Sequence, residues 1–505
     1  MTPGPCLSTS RGTSSAKCLV RYSLNSLLSR PVTIENVSDD VLQKIFRYFL
    51  DVSPRNWPTL AHTCRTWRHI VFESQQALHL RLFCTHGTHV LKSLYCWPAL
   101  PIVVQYGGSL EDDLPTQEDE DNIMAAFNQP HRVIFISLTV TPPLQERLST
   151  IESPFSELEH LVLLSQDGVR RLIQPRGFRW GQWGTRLRSL HLTKIALPGL
   201  PQLLFSSRNL VDLQLHEVLD HSNISTEFLT IAFSGMTQLR SLSLHILPPF
   251  STSHFLSLLP PMRRVALPSL TRFHFRGITS FLKGLVAGID APRLGDIEVT
   301  FPNESIFDLS ELIEFIDRIK MHKSPRRADI LSSEHNITIS LTQPGAHTRF
   351  RLKLLCEPLT AQLSSMALIC IEFSAFLFNV EDLRIHGKQP SLQGNGPYDE
   401  RWLLETVNSF KGVKWLQISG NLSCNVVKAL QRRHWRRESV LPALHKLHVR
   451  QRTPCDASLR EAIVALLASR RLFGHHIAVE YGNVLHSNKL RATGTVHSHD
   501  STTAR

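Results

Sequence analysis

Three short runs of alternating cations and histidines hold the side chains in this 505-residue sequence best placed to do chemistry: Arg272-x-His274-x-Arg276, Arg384-x-His386 and Lys446-x-His448-x-Arg450. Residues two apart point to the same side of an extended strand. Guanidinium, ammonium and imidazole groups presented together are suited to binding carboxylate or phosphate. The expected ligand is therefore an unknown partner protein carrying an acidic or phosphorylated segment, with Trp415 as an apolar anchor between two of the runs. The opposing reading is that these short-reach polar side chains fill a crowded strand ladder and bind nothing.

Catalytic patterns were sought and not found: the sequence contains no Gly-x-Ser-x-Gly elbow, no Gly-x-x-x-x-Gly-Lys phosphate loop, no His-Glu-x-x-His and no Gly-x-Gly-x-x-Gly. The chain is expected not to be an enzyme and to need no cofactor. Cys84-x-His86-x-x-His89 with Cys96 comes near metal-ligand spacing, yet the flank Leu91 to Trp97 reads as packing, so no metal is expected either.

Composition narrows the class. Apolar residues are 42% and charged residues 19% of the chain, which fits a globular protein, and no apolar run is long enough to span a bilayer. The net charge is +12, with a basic concentration from Lys428 to Arg452 and an acidic one from Glu111 to Asp121, the latter read as a solvated loop. The stretch Gln431-Arg-Arg-His-Trp435-Arg-Arg437 allows nuclear import or nucleic-acid contact, but reads first as an exposed segment between structural units. Nine cysteines without a Cys-x-x-Cys pair fit a reducing compartment, so cytoplasm or nucleus is expected. Residues 1–30, with Arg11, Lys17, Arg21, Arg30, seven serines and no acid, read as a disordered tail or, alternatively, a transit peptide. Residues 486–505 read as a second tail.

The elements that must position the basic runs are repeats. Aliphatic-x-x-aliphatic-x-aliphatic recurs ten times, starting at Val133, Leu158, Leu187, Leu210, Leu239, Leu270, Leu294, Val380, Val413 and Leu444. Apart from the gap from Leu294 to Val380, starts lie 23 to 33 residues apart, around the roughly 20 to 29 of leucine-rich repeats with some longer members. Weaker strands are expected near Leu100-x-x-Val103 and Ile477-x-Val479. One strand-plus-helix unit cannot bury its own apolar face, and stacking such units does. The expected class is α/β: a curved solenoid over 131–485, parallel strands on the concave face and helices or loops outside, with an irregular section over 300–379. In that section the text predicts a helix near Leu309 to Ile319, a hairpin from Ile337 to Leu354 and a strand near Leu368. Seven of the thirty outward strand positions are histidine, in a chain with 25 histidines overall.

A different pattern precedes the repeats. Ser38 caps a predicted helix in which Val41, Leu42, Ile45, Phe46, Phe49 and Leu50 form a 3.6-period stripe, and Leu60, Cys64, Trp67 and Val71 form a second. Residues 31–80 read as a helical domain and 81–130 as a connector with a first irregular repeat. The run Val37-Ser-Asp-Asp-Val-Leu-x-x-Ile45-Phe46, then Leu60-x-x-x-Cys64-Arg-x-Trp67-Arg-x-Ile70, resembles the F-box, and the wording from Trp57 to Ile102 is similar to a family of fungal F-box proteins. That resemblance implies docking on the Skp-type adaptor of a cullin-based ubiquitin ligase, with Val37, Ser38, Val41, Leu42, Ile45, Phe46, Leu60, Cys64 and Trp67 as adaptor-binding positions. The repeats would then hold a substrate. Ser38 stands where the F-box usually has proline. The alternative is a non-catalytic scaffold with a degenerate box, nuclear or nucleic-acid associated.

Overall fold

The computed structural model describes residues 37–97, 99–107, 115–148, 150–151, 153–165, 170–171, 183–197, 199–218, 225–246, 264–302, 308–319, 325–345, 348–356, 359–387, 400–431, 440–451, 457–472 and 474–483. Both expected tails and the Arg432 to Arg437 cluster lie outside them. The chain divides into two units, one ending at Phe83 but also including His89–Val103, the other holding Cys84–Thr88 and Val104 onward.

The first unit is helical. Helix α1 (Asp39–Val52) begins after Ser38 with Asp39 and Asp40 in its first turn, where carboxylates favour the helix dipole. A 3₁₀ turn at Pro54–Asn56 leads into α2 (Trp57–Thr63), and α3 (Arg65–Glu73) follows after Cys64. Leu42, Phe46, Leu50, Trp57, Leu60, Ile70 and Val71 form its core. Trp57 sits in an aromatic cluster with Phe72 and Trp97 and donates its indole N–H to the Arg81 carbonyl at 2.7 Å.

The second unit is a curved leucine-rich-repeat-type solenoid. Its sixteen-stranded sheet comprises, in chain order, β1 (Leu82–Cys84), β2 (Ile102–Tyr106), β3 (Val133–Thr139), β4 (His160–Leu164), β5 (Ser189–Thr193), β6 (Asp212–His216), β7 (Ser241–His245), β8 (Arg272–Arg276), β9 (Asp296–Pro302), β10 (Arg327–Ser332), β11 (Asn336–Thr342), β12 (Arg349–Leu355), β13 (Asp382–Gly387), β14 (Trp415–Gly420), β15 (Lys446–Gln451) and β16 (Ala478–Asn483). All ten aliphatic triplets lie at strands of this sheet, and both weaker strands form. Leu210, Leu213 and Leu215 are fully buried, showing how each triplet inserts one strand into the continuous core. The junctions repeat as well. One carbonyl receives two successive N–H groups of the next repeat, as Arg188 O does from Val211 and Asp212, Val211 O from Arg240 and Ser241, and Lys414 O from His445 and Lys446.

The irregular section is a reversal built into the sheet rather than an insertion outside it. Strand order runs β9-β12-β11-β10-β13, with β11 antiparallel to both neighbours, so β12 and β10 stay parallel to the repeats on either side. The predicted hairpin is β11–β12, and the predicted helix forms as Ser310–Arg318. The strand expected near Leu368 is instead within a helix, Leu359–Glu372, that buries Leu363, Met366, Ala367, Ile369 and Cys370. Its apolar residues occupy much of its circumference, so periodicity could not mark it as helical. The acidic run is also corrected. Glu118, Asp119 and Glu120 open the helix Gln117–Phe127, where Thr116 and Asp119 form a capping box and Asp119 and Glu120 are buried. Residues 111–114 of that run lie outside the described residues.

Candidate functional site

Helix α1 has two apolar faces, and only one is used internally. Leu42, Phe46 and Leu50, four apart, point into the core, whereas Val41 is 45%, Ile45 51%, Tyr48 76% and Val52 72% exposed. These four share a face, since residues three and four apart are neighbours on a helix surface. Among the predicted adaptor-binding residues, Val41, Ile45, Ser38 and Cys64 are exposed, and Val37 and Trp67 are half-buried. Leu42, Phe46 and Leu60 are buried, so they hold the face in position and cannot touch a partner directly. Cys64 Sγ caps α3 by accepting the Trp67 N–H at 3.5 Å, and the Trp67 ring packs on Phe46 at 4.7 Å. Arg68 Nε donates to Ala61 O at 2.9 Å, tying α3 to α2. Sequence reasoning placed neither Tyr48 nor Val52 on the outer face, although their i+7 and i+11 spacing from Val41 encodes it.

On the open face of the solenoid, strand register sorts outward side chains into three rows. The first row passes through Asp212, Ser241, Arg272, Asp296, Arg349, Thr342, Arg327, Asp382, Trp415 and Lys446. The middle row holds His274, Glu298, Arg351, Asp329, Arg384, Gln417, His448 and Glu480. Most opposite charges in these rows are paired. Arg349 grips Asp296 with two hydrogen bonds of 3.0 and 3.1 Å, Arg351 reaches Glu298 at 3.2 Å, Arg327 reaches Asp382 at 2.7 Å, and Lys446 reaches Glu480 at 2.8 Å. His274 Nε2 lies 3.8 Å from Asp296, an ion-pair distance. Burial tends to raise the Asp296 carboxyl pKa, but these cations outweigh it and hold the group well below the usual carboxylate range.

The expected anchors therefore differ among themselves. Arg384 lies 3.4 Å from Asp382 and 3.9 Å from Asp329, and its guanidinium covers the Trp415 ring at 5.2 Å. His448 stacks on Trp415 at 6.4 Å. Both neighbours engage the Trp415 ring, so it is a packing element of the ladder and not a free apolar anchor. His386 shares a 2.7 Å hydrogen bond with Ser419. Arg272 and Arg276 are exposed, and His274 is half-buried between them. Not every outward position is open: Ser137, Thr139, Leu164, Thr300 and Gln417 are buried.

Three histidines of the face are shifted toward the neutral form. Burial, then the Arg276 charge, pushes the His245 pKa down to about 4, and burial also lowers His216 and His448. The sequence reading missed Arg327, Asp329, Arg349, Arg351 and Lys353, which line the same face from within the reversal. The alternation Arg349-x-Arg351-x-Lys353 around Phe350, Leu352 and Leu354 was their signal. Of the Cys/His cluster, Cys84 is buried with its Sγ 3.3 Å from Tyr106 Oη, and burial raises the thiol pKa to about 12. His86 pairs with Asp119 at 2.9 Å, while Cys96 is exposed on the helix Val90–Cys96.

No protein-family model matches this chain, and no curated protein does. Among solved structures, it is similar to the leucine-rich repeat-containing protein LegL7 from Legionella pneumophila, at 14% identity over 77% of this chain and 97% of that one, with a TM-score of 0.27. At that score the likeness adds nothing to what the strand registers establish.

Proposed function

We propose that this chain is the substrate-recognition subunit of a cullin-based ubiquitin ligase, its helical unit docking on the Skp-type adaptor and its solenoid holding a target protein. The observation that carries the reading is the second apolar face of α1, Val41, Ile45, Tyr48 and Val52, on a three-helix unit whose sequence follows the F-box through Cys64-Arg-x-Trp67-Arg68. An exposed apolar stripe beside a complete core is costly in water unless a partner covers it. The chain supplies no catalysis. It works by proximity: holding adaptor and target on one polypeptide raises the target's effective concentration at the ligase. The expected setting is the cytoplasm or nucleus, with no cofactor and no membrane.

The test is affinity capture of the tagged full chain, wild type beside a Val41→Asp, Ile45→Asp variant, probing for the Skp-type adaptor and cullin. Both should co-purify with the wild type and be lost from the variant. Absence of the adaptor from the wild type would overturn the proposal.

A further inference from the structure

The third outward row of the solenoid differs from the other two. At the C-terminal ends of the parallel strands it runs through Leu164, Thr193, His216, His245, Arg276, Thr300, Lys353, Thr338, Leu331, His386, Ser419, Arg450 and Gly482. It contains Arg276, Lys353 and Arg450 and no carboxylate. The first two rows alternate acids with bases and largely neutralise themselves through the ion pairs above. Among the described residues, none of these three cations has a carboxylate partner; Glu217, next to His216 of the row, faces His245 at 3.7 Å. Apart from Arg272 of the first row, the unpaired positive charge on the described sheet face thus lies along one edge.

We propose that this row, through Arg276, Lys353 and Arg450, is the docking strip for an extended Asp/Glu-rich segment of a partner protein. The inference rests on the reading of the solenoid as the target-holding part of the chain. Charge complementarity selects the occupant. Arg276 and Lys353 stand two strand spacings apart, about 10 Å, close to the span of three residues in an extended chain. Arg450 lies five strand spacings beyond Lys353. Cations spread at such intervals suit single charges distributed along a peptide, whereas a phosphate site gathers several donors on one group. Between Lys353 and Arg450, His386 shares its 2.7 Å hydrogen bond with Ser419 and serves as a polar spacer.

The test uses the full chain and fluorescence anisotropy. The probe is a labelled peptide of about twelve residues with Asp at every third position among Gly and Ser. Each exposed ion pair supports a factor of about two to five. An Arg276→Ser, Lys353→Ser, Arg450→Ser variant should therefore bind about tenfold or more weakly, and wild-type affinity should fall as salt rises. A first-row control, Arg272→Ser with Lys446→Ser, should stay within about twofold of wild type. No wild-type binding, equal loss in the control, or tighter binding of a Gly/Ser peptide bearing one phosphoserine would each overturn the proposal. Adaptor capture by the same proteins reads the ligase assignment separately: peptide binding without adaptor keeps the strip and removes the ligase coupling, and the reverse removes the strip alone.

Discussion

Neighbouring residues of α1 should respond in opposite ways to substitution, because Phe46 is fully buried against Trp67 while Ile45 is 51% exposed. Truncating a buried phenylalanine costs about 3–5 kcal/mol, the lost transfer energy plus that of the cavity. Fully burying an isoleucine side chain contributes about 1.5–3 kcal/mol, so the half that Ile45 buries contributes about 1 kcal/mol. Phe46→Ala should therefore lower amide-exchange protection across residues 39–73 by at least about a hundredfold, and Ile45→Asp by about fivefold. Hydrogen exchange read by mass spectrometry on peptides from this span isolates the helical unit from the solenoid. Adaptor capture must then follow the other order, with Ile45→Asp abolishing it while protection stays near wild type. If Ile45→Asp unprotects the span as far as Phe46→Ala does, the outer face belongs to the core. If Ile45→Asp leaves both protection and adaptor capture intact, the docking assignment is refuted.

Asp296→Asn should lower stability by about 1–2 kcal/mol at pH 7, since it removes the negative charge and one of the two acceptor oxygens of the Arg349 fork. The folded pKa of Asp296 lies below its unfolded value near 4, so this contribution is present above about pH 4 and is lost as pH falls. Melting curves from pH 7 to pH 3 should accordingly be flatter for the variant. His245 acts on a different window: its folded pKa of about 4 lies under an unfolded value near 6.5, so between those limits the unfolded chain binds more protons and stability rises with pH. Arg276→Ser removes one cause of that depression, and NMR titration of labelled histidine should find the His245 pKa raised. Gly420, at φ +78°, could not carry a Cβ without meeting the Gly387 carbonyl, so Gly420→Ala should cost about 2 kcal/mol or more in a urea titration. Among the described cysteines, Cys64 and Cys96 should react with iodoacetamide at pH 8, and Cys84 and Cys370 only after unfolding.

The repeats were legible because each unit buries the same three aliphatic positions, so the constraint of stacking is written into the text at a fixed spacing. The reversal between Leu294 and Val380 was not, for two reasons. The segment at strand β10 has Pro325 before the strand and Ala328 and Ile330 in it where a repeat has three large aliphatics, and β11 runs backwards, so no forward motif can describe it. Individual outward positions could be read from period-two alternation, which placed Arg272, His274 and Arg276 on one face. Which of their charges are free could not be read, because Asp296 meets Arg349, and Asp382 meets Arg327, only through strand pairings across the reversal. In the helical unit the 3.6-residue stripe merged two faces into one: Val41 with Ile45, and Leu42 with Phe46, differ by a single residue in sequence and by about 100° around the helix.

The charge arrangement on the sheet face follows from how closely a parallel ladder packs its rows. Neighbouring strands lie about 4.8 Å apart, so a cation placed directly beside another is repelled across that gap. The first row meets this by alternation: Asp296 separates Arg272 from Arg349, and Asp382 separates Arg327 from Lys446 by way of Trp415. The third row meets it by spacing. Thr300 stands between Arg276 and Lys353, and Ser419 between His386 and Arg450. Alternation lets the first two rows pair most of their charges internally, whereas spacing leaves each third-row cation without a carboxylate partner among the described residues yet tolerably distant from the next. The same packing constraint, met in two ways, is what sets the proposed strip apart from the two rows beside it.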